Sequence, residues 1–391
     1  MIMTQKLYWD DPYKIKFTAK IVSIQKGGIV LDKTLFFPLS GNQANDKGIL
    51  QHNGEQSAVN AVEIIDDDII HYVSSDFIRK IKIGNEIIGK IDWEYRYGIM
   101  KAHSSQHIFS AIFLESYNAK TSRANIEYEE VSIQLDHPIN EQQLLEGLKK
   151  LNEICTSVSK DITAEIYHKG ELSKIKDSIR SEIPEKEEIR LIKIDNLDMV
   201  CCGGTHLKTS IEIGPVILTD FKKGTDIRYY IGKKALNLIS SLNVDLINLS
   251  DKLNTSLVEV PHKIQSYLTE LEENKQFIEI LKTNNLELTS KYPIDVYKSF
   301  NLFLIKYQID SKILKKNMEQ FPSNSLLVII LSENRYQIVS LSEKVSANGV
   351  VQALIKKFGG KGGGSNFTAQ ANLSNVPTDL IIELRGFIDS I

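Results

Sequence analysis

The sequence predicts an α+β protein made of four consecutive segments, 1–90, 91–232, 233–290 and 291–391. Three patterns support this prediction. Short runs of alternating apolar and polar residues fill the first segment and are typical of β-strands. Apolar residues at helical spacing are mixed with strand-like runs in the second segment. A long leucine-rich stripe then precedes a last segment in which strand and helix patterns alternate.

The composition limits the classes of protein to consider. The chain has 391 residues, of which 42% are hydrophobic and 25% charged, as in ordinary globular proteins long enough for two or three domains. The net charge of −3, from 47 basic and 50 acidic residues, excludes a general polyanion binder. Any contact with nucleic acid must therefore come from local basic patches.

The expected location is the cytoplasm. The first residues lack the apolar stretch of a signal peptide, and no stretch is long and apolar enough for a membrane span. Three cysteines, two of them adjacent, do not make a disulfide framework. We expect reduced thiols that are available as metal ligands.

The first segment, 1–90, is expected to form a small β-barrel-like domain. Residues 15–37 alternate around Gly27 and Gly28, a pattern that predicts a β-hairpin. Residues 57–91 continue with short strand-like runs separated by Gly and Asp. Several short strands with such turn residues favour a compact barrel.

The second segment, 91–232, is expected to mix helices and strands. Its first part places Met100, His103 and His107 at helical intervals, and an amphipathic helix follows at 141–158. Strand candidates then lie at 189–194, 211–220 and 226–232.

The third segment, 233–290, is expected to be helical. Apolar residues from Ile239 to Val260 are spaced by three and four, as in a coiled coil, and Pro261 interrupts the stripe. Because proline is tolerated best in the first turn of a helix, we expect two helices, at 235–258 and 261–289. They form either an antiparallel helical hairpin or the seam of a homodimer, and the sequence leaves both open.

The last segment, 291–391, is expected to be a small α/β module. Apolar runs predict strands at 301–307 and 325–331, and a helix is expected near 346–358. The glycine-rich stretch that follows lacks the P-loop pattern, since Lys361 precedes another glycine. Backbone N–H groups and the charges of Lys356, Lys357 and Lys361 would suit a phosphate backbone. A flexible glycine loop is the alternative, and the stretch alone does not decide between them.

Two pairs of side chains predict a metal site. His103 and His107 are four residues apart on one helical face, a spacing at which two imidazoles can bind one ion. Cys202 and His206 form a second pair around two glycines, which favour a tight turn. One thiolate and three imidazoles suit tetrahedral Zn²⁺. Cys201 is interpreted as a packing residue, since adjacent side chains usually point apart.

Several stretches together resemble a known family. "VLDKTLFFPLSGNQANDKG" (30–48), "IDWEYRYGIMKAHSSQH" (91–107), "CGGTH" (202–206) and "EIGPV" (212–216) resemble the editing domain of alanyl-tRNA synthetase. The same domain occurs alone in the AlaX family of alanyl-tRNA editing proteins. The tail "GGKGGGSNFTAQA" is similar to the DHH-associated module at the C-terminus of that synthetase. The likeness covers nearly the whole chain, as in the long form of AlaX.

The resemblance implies a function. The expected activity is zinc-dependent deacylation of seryl- or glycyl-tRNA(Ala) by a free-standing editing protein, an aminoacyl-tRNA deacylase. It implies that His103, His107, Cys202 and His206 hold Zn²⁺. It also implies that the substrate is contacted by Thr34, Gly41 and Gln43. From their charge and the glycines around them, Lys356, Lys357 and Lys361 are expected to bind tRNA, and the C-terminal region would otherwise pair two subunits. Asn42 stands where the family has glycine, and asparagine tolerates the left-handed backbone that such a loop needs.

Rival interpretations concern both the reaction and the substrate. Zinc either activates a water molecule or positions the substrate, and among the acidic residues Asp92 is only a weak candidate for a general base. A non-catalytic zinc-containing tRNA-binding module, or an editor of another tRNA such as seryl-tRNA(Thr), would share the metal motif. A zinc hydrolase of small esters or amides would have no use for the lysine-bearing tail.

Overall fold

The computed structural model describes residues 4–25 and 27–390. Outside the described residues lie 1–3, 26 and 391. They belong to the predicted first and last segments, and residue 26 also to the predicted hairpin. The chain divides into two compact units, Met1–Asn248 and Leu249–Ile391. The α+β class is confirmed, because helices and sheets are present in both units. None of the described helices is long and apolar enough to cross a membrane.

The first unit begins with a β-rich part. Its elements are β1 (Gln5–Lys6), α1 (Leu7–Asp10), β2 (Lys16–Gln25), β3 (Gly28–Leu31), β4 (Lys33–Thr34), β5 (Gly48–His52), β6 (Glu55–Val59), β7 (Val62–Ile65), β8 (Asp68–Tyr72), α2 (Ser75–Lys80) and β9 (Glu86–Ile91). Seven strands form one antiparallel sheet in the order β6-β5-β9-β2-β3-β8-β7. The predicted hairpin is confirmed, since Gln25 pairs with Gly28. Among the described residues, hydrogen bonds do not close the sheet into a barrel, because β6 and β7 are its edges.

The remainder of the first unit packs around one long helix. Its elements are α3 (Trp93–Tyr117), β10 (Thr121–Glu127), β11 (Glu130–Leu135), α4 (Glu141–Thr156), β12 (Ile162–His168), β13 (Glu188–Ile194), β14 (Asp198–Cys201), β15 (Val216–Lys222), β16 (Asp226–Ile231) and α5 (Gly232–Leu253). The side chain of Asp92 caps α3 by accepting from the Tyr95 N–H, and Asn118 ends the helix in a left-handed conformation. Sixteen residues of α3 are buried, so it is the core helix of this part.

Two large apolar cores support these two parts of the first unit, and a smaller cluster of four buried residues, Leu172, Ile179, Ile189 and Leu191, lies beside β13. One contains side chains of the N-terminal sheet, such as Ile29 and Leu50. The other gathers α3, α4 and the later strands around residues such as Phe109 and Tyr229. The predicted strand at 211–220 is partly wrong, because Ser210–Ile213 is a 3₁₀ turn and the strand begins at Val216. Gly214, with a φ of 76°, and Pro215 interrupt the extended run.

The second unit begins with the end of α5. Its own elements are α6 (Val260–Lys291), β17 (Asp295–Tyr297), β18 (Phe300–Ile305), α7 (Ser311–Asn317), β19 (Ser325–Ser332), β20 (Arg335–Ser340), α8 (Ala347–Phe358), β21 (Gly360–Gly364), β22 (Thr368–Leu373) and α9 (Leu380–Asp389). Pro261 lies in the first turn of α6, as expected. Six strands pair in the order β17-β18-β19-β20-β22-β21. Alternate residues of β19 enter two different cores, Leu326 in one and Leu327 in the other, so both faces of this sheet are covered.

Of the two interpretations of the glycine-rich stretch, the flexible loop is wrong. Residues Gly360–Gly364 form an edge strand that pairs with β22. A Cβ atom on Gly362 would lie 2.2 Å from the Gln370 carbonyl oxygen, and one on Gly364 would lie 2.4 Å from that of Thr368. The close approach of β22 therefore requires glycine at these positions.

The leucine-rich stripe is exposed along α5. Only Gly232 and Ala235 of this helix are buried, whereas Leu242 and Ile247 are 43% and 45% exposed. The helices are confirmed at Gly232–Leu253 and Val260–Lys291. Whether the stripe serves a hairpin or a homodimer stays a prediction, as does the division into four domains.

Candidate metal centre and substrate cleft

The four predicted metal ligands come together in the first unit. His103 and His107 lie one turn apart on α3, and Cys202 and His206 lie in the turn after β14. One donor atom from each lies within 4.8 Å of all the others. The Cys202 Sγ atom is 3.4 Å from Nε2 of His103 and 3.3 Å from Nε2 of His206. Ligands of a tetrahedral zinc ion are about 3.3–3.7 Å apart, given Zn–N and Zn–S bonds of about 2.0 and 2.3 Å, so these separations fit zinc.

Burial keeps the three imidazoles in the form that binds a metal. The three histidines are at most 4% exposed, and burial lowers the pKa of His103 to about 3. It also lowers the pKa values of His107 and His206 well below the usual value. All three rings are therefore neutral at neutral pH, with a nitrogen lone pair free to coordinate. The Nδ1 atom of His107 is buried and has no partner among the described residues, which fits a site built for a cation.

Gln43 orients one of these ligands. Its Oε1 atom accepts a hydrogen bond of 2.6 Å from Nδ1 of His103 and one of 3.1 Å from the Thr205 N–H. Its Nε2 atom donates to the Thr205 hydroxyl at 3.0 Å. Because Nδ1 of His103 carries the proton in this arrangement, Nε2 is left free for a metal. Gln43 is fully buried. Its hydrogen bonds connect His103, from the first pair of candidate ligands, with Thr205 in the turn that carries the second pair.

The turn that carries Cys202 is held through three consecutive carbonyl groups. Arg190 donates from Nη1 to the Cys202 and Gly204 oxygens at 2.9 and 2.8 Å. Nε1 of Trp9 donates to the Gly203 oxygen at 2.8 Å. A Cβ atom on Gly204 would lie 2.2 Å from Cε1 of His103, so this position has room only for glycine.

A buried ion pair supports the loop around Gly41, which the sequence predicts to contact substrate. Arg96 of α3 donates to the Asp46 carboxylate and to the Leu35 carbonyl oxygen. Asp46 also accepts from the Phe37 N–H at 2.5 Å. Gly41 and Asn42 have φ values of 57° and 65°. The expectation that asparagine would keep the left-handed loop is therefore confirmed.

A cleft of about 450 Å³ opens over the metal ligands. Its walls include residues from four parts of the first unit: the segment around α1, the loop between Phe37 and Asn42, strand β10, and the turn from Cys201 to Gly204. Gly41 lies in the wall, as do His103, His107 and Cys202. Gln106, between the two histidines of α3, also lines it and donates to Ser110, which in turn contacts the Thr121 hydroxyl, both at 2.7 Å.

Two of the three predicted substrate residues, Thr34 and Gln43, do not line the cleft. The Thr34 hydroxyl is fully buried, lies 2.8 Å from Nε2 of His71, and accepts from the Phe36 N–H at 3.0 Å. Contacts of either side chain with substrate stay predictions. Asp92 is occupied in capping α3, and none of the described residues in the cleft wall is acidic.

The three predicted tRNA-binding lysines lie in the second unit. Lys356 and Lys357 occupy the last turn of α8, and Lys361 lies on β21. Lys357 forms an ion pair of 2.6 Å with Glu383. Lys356 and Lys361 are solvent-facing and have no ion pair among the described residues.

Sequence reasoning missed Trp9, Arg190 and Gln106. Gln106 sits inside the His103–His107 motif and could have been singled out there. No local pattern marks Trp9 or Arg190, which reach the ligand turn from α1 and β13. Cys201, as expected, lies outside the cluster of four donors.

Comparison with known proteins confirms the predicted resemblance. Residues 10–95 match the family model for class II (A) tRNA synthetases. The chain is 26% identical to the alanyl-tRNA editing protein AlaX-L of Pyrococcus horikoshii, over 97% of this chain and 96% of that protein. It is 28% identical to the alanine–tRNA ligase of Sulfurisphaera tokodaii, over 95% of this chain but 43% of the ligase. The chain thus spans nearly all of the first relative and less than half of the second.

Proposed function

We propose that this protein is a zinc-dependent aminoacyl-tRNA deacylase that hydrolyses the ester of seryl- or glycyl-tRNA(Ala). The observation that carries the proposal is the cluster of four donors, the buried His103, His107 and His206 with the half-buried Cys202. All of them except His206 line the cleft. Similarity to an alanyl-tRNA editing protein over 97% of the chain supports tRNA(Ala) as the partner. The chain spans 43% of the ligase of Sulfurisphaera tokodaii, and the proposal concerns deacylation alone.

Bound zinc would supply Lewis-acid polarisation of the ester carbonyl and a fixed point for orienting the substrate. The chain itself contributes orientation. Gln43 fixes the ring of His103, while Arg190 and Trp9 hold the turn that carries Cys202. Such supporting contacts are what keep a catalytic arrangement within the tolerance that chemistry needs.

Neutral polar groups, rather than a carboxylate, face the reacting ester in this proposal. None of the described residues in the cleft wall is acidic, but Tyr8 and Gln106 are both present there. Burial raises the pKa of Tyr8, so its hydroxyl stays protonated and is able to donate. Tyr8 is only 2% exposed but lines the cleft, and in this proposal its hydroxyl donates to the ester or to the attacking water.

Selection of serine is proposed to depend on Thr34, whose hydroxyl would bind the hydroxyl of serine. The structure offers a competing structural role, because the same hydroxyl contacts His71 and Phe36. Thr34→Val separates the two roles. A selective loss of serine removal over glycine removal supports the contact with substrate, whereas an equal loss for both leaves only the structural role.

The lysines of the second unit are proposed to bind the body of the tRNA. Phosphate contacts supply most of the affinity for nucleic acid, and the chain as a whole carries a net charge of only −3. A homodimer formed through the exposed stripe of α5 would double the number of such contacts for one tRNA complex. Size measurement by light scattering, before and after Leu242→Glu, tests the dimer.

The deciding experiment is a deacylation assay on seryl-, glycyl- and alanyl-tRNA(Ala), with seryl-tRNA(Thr) beside them. The full chain should release serine and glycine from tRNA(Ala) and spare alanine. Cys202→Ala should abolish release and lower the zinc content, while the matched control Cys201→Ser should keep both. Binding of tRNA(Ala) without release of any amino acid would instead identify a non-catalytic zinc-containing module. Preference for seryl-tRNA(Thr) would reassign the substrate.

A further inference from the structure

The cleft wall carries four cationic side chains and, among its described residues, no acidic one. The cations are Lys6, Arg123, Arg180 and Lys186. The chain as a whole has more acidic than basic residues, 50 against 47. The positive charge of the cleft is therefore a local feature of the fold and does not follow from composition.

Two of these cations have partners inside the protein. Arg180 forms two hydrogen bonds of 2.8 Å with the Asp198 carboxylate, and Lys6 lies over the ring of Trp9, 4.5 Å from its centroid. Arg123 and Lys186 are exposed and have no ion pair within the described residues. Glu185 and Glu187 flank Lys186 in the sequence, and Arg123 also lines a neighbouring cavity with Asp220 and Asp226. Neither cation is paired directly with a described carboxylate, so both stay available to an anion at the cleft, Arg123 from β10 and Lys186 from just before β13.

Lys6 and Lys186 lie close enough to repel each other. Burial first, and then the positive charge of Lys186, lower the pKa of Lys6, while the carboxylate of Asp67 partly offsets this effect. Behind the ligand turn, Arg190 is only 6% exposed and contacts carbonyl groups rather than a carboxylate. Like charges held close together repel, and a bound anion relieves that repulsion.

The size of the cleft indicates where the anion lies. A volume of about 450 Å³ falls in the range that holds one compact small molecule. An aminoacylated nucleoside fits this description, but a chain of nucleotides does not. The phosphates that precede the terminal nucleoside must therefore lie at the rim, where Arg123 and Lys186 are exposed.

We propose that Arg123 and Lys186 form a phosphate-binding rim for the single-stranded 3′ end of the RNA whose terminal ester enters the cleft. The inference rests on the proposed function for the identity of the ester. The guanidinium of Arg123 can bind a phosphate through two parallel hydrogen bonds, and Lys186 adds a point charge. This contact lies in the first unit and adds to the one proposed for the lysines of the second.

Salt-dependent RNA binding tests the rim. The probe is a short single-stranded RNA ending in CCA with a free 3′ hydroxyl, labelled with fluorescein at its 5′ end and titrated with the full chain. Loss of two phosphate contacts in Arg123→Ala/Lys186→Ala should lower the slope of log Kd against log salt by about 1.4, between about 50 and 200 mM salt. Affinity at the lower salt concentration should fall about tenfold.

The matched control is Arg228→Ala/Lys16→Ala. Both residues are exposed, have no ion pair among the described residues and lie outside the cleft wall, and Arg228 belongs to the same sheet as Arg123. The control should keep the slope, the affinity and the zinc content of the unaltered protein. An equal loss in the control, an unchanged slope in the rim variant, or no binding of the probe by the unaltered chain would each overturn the rim.

A kinetic measurement separates this inference from the proposed function. With seryl-tRNA(Ala), the rim variant should raise KM more than it lowers kcat, because it removes binding that substrate and transition state share. If the unaltered protein hydrolyses no aminoacyl-tRNA, the proposed function fails. The RNA titration still decides the rim in that case, since it does not depend on hydrolysis.

Discussion

Gly204 is the position at which the smallest change should damage the metal centre most. In Gly204→Ala, the new Cβ atom would lie 2.2 Å from Cε1 of His103 and 2.5 Å from Oε1 of Gln43. The first distance is more than 1 Å short of the 3.4 Å at which ordinary contact begins. Neither neighbour has free space to move into, because His103 is 3% exposed and Gln43 is fully buried.

The expected loss follows from the length of a zinc–nitrogen bond. A displacement of His103 by about 1 Å is large against a bond of about 2.0 Å, so the ring leaves the coordination sphere or the turn moves away. Disturbing the surroundings of a ligand typically costs about 10–100-fold in metal affinity. Overpacking should also lower the free energy of unfolding by about 1–3 kcal/mol.

Gly203→Ala is the matched control. The nearest atom to its new Cβ would be Cζ2 of Trp9 at 3.8 Å, an ordinary contact, and neither glycine has a left-handed backbone. Zinc content and chelator competition, with urea unfolding of both full-length variants, provide the assay. Zinc affinity in Gly204→Ala equal to that of the unaltered protein, or an equal loss in Gly203→Ala, would refute the packing argument.

Three further predictions concern other parts of the chain. Gln43→Leu removes the acceptor for Nδ1 of His103 and should weaken zinc binding about 10–100-fold. Gln43→Glu keeps an acceptor and should lose less zinc affinity. Chelator competition on both variants checks this. Burial lowers the pKa of His71 from 6.5 to about 4, so as pH falls through 6.5 the unfolded chain gains a proton on this residue that the folded protein accepts only near pH 4. The free energy of unfolding should therefore fall as the pH falls across that window, by about 3 kcal/mol from this residue. Urea unfolding at several pH values should show a shallower pH dependence in His71→Gln than in the unaltered protein. An unchanged pH dependence would contradict the argument. Lys356→Ala and Lys361→Ala should each weaken tRNA binding and lower the slope of log Kd against log salt by about 0.7–0.9. Lys357→Ala should have a smaller effect on both quantities, because Glu383 already neutralises that charge. Equal effects from all three lysines in a filter-binding titration would refute the distinction.

Local spacing was enough to predict the metal ligands. A separation of four residues places His103 and His107 on one side of α3 whatever surrounds the helix, because the helix period sets their positions. The two glycines after Cys202 predicted a tight turn from local sequence as well, because glycine has greater backbone freedom than other residues. The chemistry of thiolate and imidazole then indicated zinc, and the fold brings one donor atom of each within 4.8 Å of the others.

Local patterns failed where a neighbouring strand decided the outcome. The glycines at 360–364 favoured a loop by their own preference, yet they form a strand because β22 supplies backbone partners for them. At Gly362 and Gly364 the backbone of β22 comes so close that a side chain would collide with it. The run at 211–220 shows the reverse, since Gly214 and Pro215 break a stretch that its apolar content predicted to be extended.

The sequence by itself therefore determined the α+β class and the positions of the long helices, and it predicted the four candidate metal ligands. Only the tertiary structure decided what holds those ligands and what lies around them. Gln43 reaches His103 across 60 residues, Trp9 reaches Gly203 across 194, and Arg123 and Lys186 meet at one cleft from separate elements. Periodicity and turn preference are set by neighbours along the chain. Contacts between distant segments depend on which elements pack together, and no short stretch of sequence contains that information.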